Sequence, residues 1–106
     1  MYASVRTYRC DPAQMEDLLR IVDEEFVPRI SDQPGFCAYQ VCDCGDGDLV
    51  TISCFQEAEQ AENSTRLASE FVAESLSDFD IERTDAKAGA LRISEAAEQV
   101  LEPAHV

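Results

Sequence analysis

Tryptophan is absent from this 106-residue sequence, histidine occurs once, at His105, and lysine once, at Lys87. A lone imidazole one residue from the end offers no Ser-His-Asp or Cys-His centre, because such a site holds its histidine against the nucleophile with a third group. Basic residues are scarce as well, 8 against 22 acidic ones, for a net charge of -14. That field repels phosphate backbones and anionic headgroups, so nucleic acid and membrane surfaces are poor partners and neither is expected. No apolar run exceeds Phe36-Cys37-Ala38-Tyr39, far short of the roughly 20 residues that cross a bilayer. The N-terminus lacks a basic-then-apolar leader, and the expectation is a soluble cytoplasmic protein. Glycine-rich GxGxxG and Walker loops and the HExxH helix are missing too, which removes any basis for nucleotide or zinc-protease chemistry.

What is present suffices for one domain: 45% of the residues are apolar, enough for one core at this length. Seven of the eight basic residues are arginine and the carboxylates are spread along the chain. This reads as an acidic, hydrated surface suited to high salt, and a halophilic source is expected, with a GC-rich genome as the alternative cause of the arginine bias. The five cysteines, Cys10, Cys37, Cys42, Cys44 and Cys54, form no paired CxxC set for structural zinc. They read as small buried hydrophobes in a reducing cytosol. Cys42 and Cys44 would touch if that segment is a strand, which keeps thiol redox or metal chemistry as a minor alternative. The aspartates of Cys44-Gly45-Asp46-Gly47-Asp48 lack the distal glutamate of an EF-hand and read as a solvated turn. Glu24-Glu25 and Glu57-x-Glu59 read as helix-surface hydration sites.

Period-two alternation from Tyr2 to Cys10 predicts a strand with Ala3, Val5 and Thr7 on one face and Ser4, Arg6, Tyr8 and Cys10 on the other. Asp11-Pro12-Ala13-Gln14 predicts a helix start, with Asp11 as N-cap and Gln14 closing a capping box. Met15, Leu18, Leu19, Val22, Phe26 and Ile30 form its apolar stripe, and Pro28 loosens the last turn. Phe36–Asp43 and Leu49–Phe55 are expected to pair as a hairpin. A second helix is expected from Glu57 to about Asp78, with a break near Asn63-Ser64-Thr65. A last strand is expected from Ala86 to Ser94 after an acidic loop, with one or two helical turns at Glu95–Leu101. The domain is placed at residues 1–95 and a tail at 96–106.

The order β-α-β-β-α-β is that of the α+β, ferredoxin-like split unit: a four-stranded antiparallel sheet with two helices on one face. Tyr2, Tyr8, Tyr39, Val41, Val50, Ile52, Leu91 and Ile93 cannot all lie beneath two helices. An apolar open face is therefore expected, covered by a second copy in a homodimer.

Val5-Arg6-Thr7-Tyr8, Phe26-Val27-Pro28, Gln33-Pro34-Gly35-Phe36 running into Tyr39, Gly45-Asp46-Gly47, Ile52-Ser53-Cys54-Phe55 and Ala61-Glu62-Asn63-Ser64 together resemble the dimeric α+β barrel superfamily. Within it they are similar to the antibiotic-biosynthesis monooxygenase-like proteins, over residues 2 to about 94. The resemblance implies two sheets closed into an eight-stranded barrel across a dimer, with a small apolar pocket between sheet and helices in each subunit. Some such proteins oxidise polycyclic aromatic compounds with dioxygen and no metal or flavin, while others degrade haem or isomerise lactones. Haem-degrading members carry an asparagine on the first strand and a tryptophan and histidine on the second helix. Here Arg6, Thr65 and Ser75 stand near those positions, so neither haem nor any other cofactor or metal is expected.

Cofactor-free oxygenation needs an apolar pocket and a group that generates or holds a substrate enolate or phenolate. The candidates are Arg6 and Asn63 as catalytic residues, with Tyr8, Tyr39, Phe71 and Arg92 binding a small aromatic or quinone-like compound. The plainer assignments are surface ion pairs for Arg6 and Arg92, dimer-core aromatics for Tyr8 and Tyr39, a helix cap for Asn63 and core for Phe71. The alternative function is a non-catalytic small-molecule-binding or stress-associated dimeric barrel.

Overall fold

Alternating side chains make Tyr2–Cys10 a strand, β1, in the computed structural model, which describes residues 1–96. Asp11 caps the helical segment after it, its carboxylate accepting from the Ala13 N–H at 2.9 Å. The helical layer then runs through a 3-10 turn at Pro12–Gln14, α1 at Met15–Ile21, a π turn at Val22–Phe26 and α2 at Val27–Ser31. The expected capping box does not close: Gln14 instead accepts from the Asp80 N–H at 3.3 Å. Pro28 accounts for the π turn, since it has no N–H to return and its ring crowds the carbonyl four residues back. Widening the preceding turn relieves both.

The hairpin strands are β2 (Phe36–Gly45) and β3 (Asp48–Phe55), joined through Asp46 and Gly47, both at positive φ. Gly47 is also required sterically, because a Cβ there would meet the Cys10 carbonyl oxygen at 2.2 Å. The second helix, α3, spans Ala58–Ser75 without a break. Glu57 and Gln60 form its capping box, and the hydroxyl of Ser64 is absorbed by donation to the Ala61 carbonyl at 2.6 Å. The expected break at Asn63-Ser64-Thr65 is therefore absent. Strand β4 is Ile81–Ala90, five residues earlier at its start than expected, so the acidic segment before Ala86 is strand rather than loop. As an exposed edge strand it carries little apolar alternation to announce it. The expected helical turns at Glu95–Leu101 and the tail lie largely outside the described residues.

The sheet order is β2-β3-β1-β4, all neighbours antiparallel. This is the α+β, ferredoxin-like arrangement, with both helices on one face. Leu18, Val22, Phe26 and Ile30 from the first helical layer meet Ala61, Ala68, Phe71 and Leu76 around α3, over Tyr8, Leu49 and Phe55 of the sheet. Each large side chain so buried stabilises the fold by about 1.5–3 kcal/mol. No helix among the described residues is long and apolar enough to cross a membrane.

Among the described residues no helix covers the other face of the sheet. Register places Val5 opposite Ile52, Thr7 opposite Val50 and Ala3 opposite Cys54, and Val5 is 38% exposed. Tyr2, Tyr8, Tyr39 and Val41, expected on this face, instead pack with the helix-covered core. Tyr8 has the parity of Ser4 and Arg6, which fixes it beneath the helices. Leu91 and Ile93 lie past the end of β4, and Ile93 is 91% exposed.

Candidate functional site

Arg6 is completely buried in the middle of β1. It is not the surface ion-pair partner that its charge suggests. One guanidinium nitrogen, Nη2, donates to Ser53 Oγ at 2.9 Å, and Nη1 donates to Ser4 Oγ and Ser64 Oγ, each at 3.4 Å. Those hydroxyls are held in turn: Ser4 Oγ lies 2.7 Å from Thr65 Oγ1 and Ser64 donates to the Ala61 carbonyl. Among the described residues no carboxylate pairs with Arg6; the ion pairs involve Arg9, Arg20, Arg29, Arg66 and Lys87. The Arg6 Nε and the Thr51 hydroxyl are both buried without a hydrogen-bond partner.

This cation is costly. Removing a charge from water costs several kcal/mol, and neutral hydroxyls return only part of it. A guanidinium keeps its charge and presents a rigid planar fork suited to an anionic oxygen. The arrangement is complementary to a negative group, which no described residue supplies.

Arg6 itself lines neither of two small pockets, which it meets only through Thr51, its cross-strand partner, and Ser64, which accepts from it. A cavity of about 30 Å³ between sheet and helices is lined by Tyr8, Phe26, Tyr39, Thr51 and Phe71 among others. It has room for about one water-sized molecule. Phe26 stacks its ring 4.9 Å from Phe71 and 5.4 Å from Tyr39, the latter edge-on, giving an aromatic wall. A second pocket of about 70 Å³ is lined by Gln33, Pro34, Phe55, Gln60, Asn63 and Ser64. Ser64 belongs to this pocket and also accepts from Arg6.

Tyr8, Tyr39 and Phe71 thus share one cavity, while Asn63 is exposed on α3 and lines the neighbouring pocket. Arg92 is exposed beyond β4 and lines neither. Ser4, Thr51, Ser53 and Ser64 complete the surroundings, and none of them is a candidate on sequence grounds alone. Their signal lies in the strand register: Ser4 sits opposite Ser53 and Arg6 opposite Thr51, so four polar residues occupy strand positions facing the helices. Among the described residues no histidine or cysteine lines either pocket, and both volumes are far smaller than a haem. Among the described residues no cluster of three potential metal ligands occurs.

Burial pushes the Tyr39 phenol up to about 12, with the nearby Arg6 cation partly opposing the shift. At neutral pH Tyr39 is therefore a neutral donor. Because the folded value lies above the ordinary 10, the contribution to stability is complete below pH 10 and is lost as pH rises toward 12. The loss is on the order of 2–3 kcal/mol. Denaturant midpoints measured from pH 8 to 12 should fall steeply above 10, and Tyr39→Phe should flatten that fall; an unchanged profile in the variant would place the alkaline transition elsewhere.

No protein-family model and no curated protein matches the sequence. Solved structures do match in shape. A dimeric ferredoxin-like protein from an uncultured marine organism superimposes with a TM-score of 0.70 at 13% identity, over 91% of this chain and 98% of that one. The monooxygenase from the gene ActVA-Orf6 of Streptomyces coelicolor, solved with the ligand nanaomycin D, gives 0.65 at 18% identity, over 92% of each chain. A putative antibiotic biosynthesis monooxygenase from Chloroflexus aurantiacus gives 0.65 at 16% identity, over 90% of this chain and 96% of that one. The chain shares the α+β, ferredoxin-like fold of these proteins. At these identities the likeness extends to the backbone alone, and the chemistry rests on Arg6 and its surroundings.

Proposed function

We propose that this protein is a homodimeric, cofactor-independent monooxygenase-like enzyme that takes a small aromatic or quinone-like compound as its anion. The observation that carries the reading is the buried Arg6, held by three serines and, among the described residues, without a carboxylate partner and with an orphaned Nε. Set beside a phenol or enol oxygen, Arg6 stabilises the ionised form, and the neutral Tyr39 hydroxyl supplies a further hydrogen bond. Tyr8 and Phe71 are the flat walls, and Asn63 is a polar contact at the neighbouring pocket. For an anthrone-type carbon the overall balance is CH2 plus O2 giving C=O plus H2O. The substrate supplies all four electrons, and no external reductant is needed. The monooxygenases of the same fold support this reading. The homodimer is supported by the apolar strip of Val5, Val50 and Ile52 on the open face and by the dimeric protein of like fold.

The small volume of the cavity lined by Tyr8, Tyr39 and Phe71 favours a second reading. A ring enters only if Phe71 and its neighbours move, and a protein that binds without turnover needs no space for dioxygen beside its ligand. Aerobic incubation with a panel of hydroxylated naphthacenes and anthrones, followed by oxygen electrode and by calorimetry, separates the two. Uptake of one dioxygen per substrate consumed supports the enzyme. Binding without uptake supports the carrier, and neither binding nor uptake across the panel overturns both.

A further inference from the structure

In the single protomer Cys42 and Cys44 are exposed near the end of β2, at the hairpin end of the open face where Cys42 stands opposite Val50, with sulfurs 3.8 Å apart. Strand geometry puts residues two apart on one side, and both sulfurs therefore face one point in space. The other three cysteines differ: Cys10 is buried, and Cys37 and Cys54 are half-buried. Around the pair stand the carboxylates of Asp43 and Asp48.

We infer that Cys42 and Cys44 form a bidentate dithiol site for a trivalent organoarsenical. A soft three-coordinate arsenic that already carries one carbon needs two sulfurs, which is the number offered here. A tetrahedral zinc ion asks for further ligands, and among the described residues no cluster of three potential ligands exists. In the reaction an arsenoxide R–As=O meets two thiols; two As–S bonds form, the As=O bond breaks, and the oxygen leaves as water with both thiol protons. Arsenic stays trivalent and nothing is oxidised or reduced. Once the first sulfur is attached the second bond closes within the molecule, at high effective concentration.

The electrostatics separate this chemistry from ordinary alkylation. The Cys44 thiol is pushed up from its usual value, first by its hydrogen bond with Cys42, with smaller contributions from Asp48 and Asp43. It is thus a poor thiolate nucleophile toward a monofunctional reagent, whereas a reagent that takes up neutral thiols and expels water is not penalised in the same way. The site does not depend on the oxygenase reading, being distant in kind and in residues from Arg6.

The test uses the intact, pre-reduced protein in its native assembly and phenylarsine oxide as the probe. Native mass spectrometry should show one arsenical per protomer, with loss of one water, retained against excess glutathione and released by a small dithiol. Cys42→Ser and Cys44→Ser should each abolish retention, and Cys37→Ser and Cys54→Ser should each leave it intact. Failure of the parent protein to take up the probe would overturn the inference, as would retention in either of the first two variants. Loss of retention in the Cys37 or Cys54 variant would do so equally, by moving the site to that pair.

Discussion

Arg6→Met is expected to leave the protein as stable as the parent, within about 1 kcal/mol, or more stable, while lowering kcat/KM for oxygen-dependent turnover on the order of 10²–10³-fold. Methionine fills much of the same volume and removes a desolvated cation that no acid among the described residues neutralises. Against this gain, Ser53 loses the donor now 2.9 Å away, a cost of about 1–3 kcal/mol for an unsatisfied buried hydroxyl. Ser4 and Ser64 keep Thr65 and the Ala61 carbonyl as partners. Arg6→Ala is the wrong comparison, because the cavity it leaves costs about 2–5 kcal/mol by itself. Arg6→Lys keeps the charge and loses the fork, so it should bind the ligand anion at intermediate strength. Urea denaturation and calorimetric titration read the two quantities separately. A methionine variant that unfolds several kcal/mol more easily and still binds would show that Arg6 serves the fold, and the anion-site reading would fall.

Most of the fold is legible in the sequence, and the reason is periodicity. Tyr2–Cys10 alternates cleanly, Asp11-Pro12 marks a helix start, and Asp46-Gly47 supplies the positive φ values that a tight hairpin demands. Strand β4 starts earlier than its sequence suggests because Glu82-Arg83-Thr84-Asp85 is an exposed edge segment whose solvated side chains carry no burial pattern. The expectation of a break in α3 rests on the low helix propensity of Asn63, Ser64 and Thr65. That preference is overridden, because Ser64 is buried against Arg6 and Thr65 is tied to Ser4.

The candidate site is legible only in part, for a different reason. Alternation puts Arg6 on the correct face of β1, yet charged residues are so rarely buried without a partner that the surface reading is the natural one. Recognising it takes the cross-strand register. Only when Arg6 is seen opposite Thr51, and Ser4 opposite Ser53, does a polar island in an otherwise apolar face become visible. Face parity likewise removes Tyr8 and Tyr39 from the proposed dimer contact and gives them to the cavity. That contact is left to Val5, Val50 and Ile52, with Cys54 and Ala3 beside them.

Ile52→Asp should accordingly convert the proposed dimer to folded monomers at micromolar concentration. Ile52 lies in the middle of the open face, with Val5 on one side and Gln40 on the other. In a two-fold assembly the new carboxylate appears twice, and burying an unpaired charge costs several kcal/mol. The dimer dissociation constant should therefore rise by on the order of 10²-fold or more. The monomer keeps its helix-covered core, since the Ile52 side chain points away from it, and far-UV circular dichroism should be unchanged. The parent protein should show a salt dependence of the same origin. Each protomer carries -14, so association brings together two strongly negative bodies. Their repulsion reaches across about 30 Å at 0.01 M salt and only about 3 Å at 1 M. Sedimentation velocity over that range should show the dimer loosening as salt is withdrawn, whereas Ile52→Asp should stay monomeric until salt is high. A parent chain that sediments as a well-folded monomer at every salt concentration would leave Val5, Val50 and Ile52 with no partner and would remove the barrel on which the proposed enzyme is built.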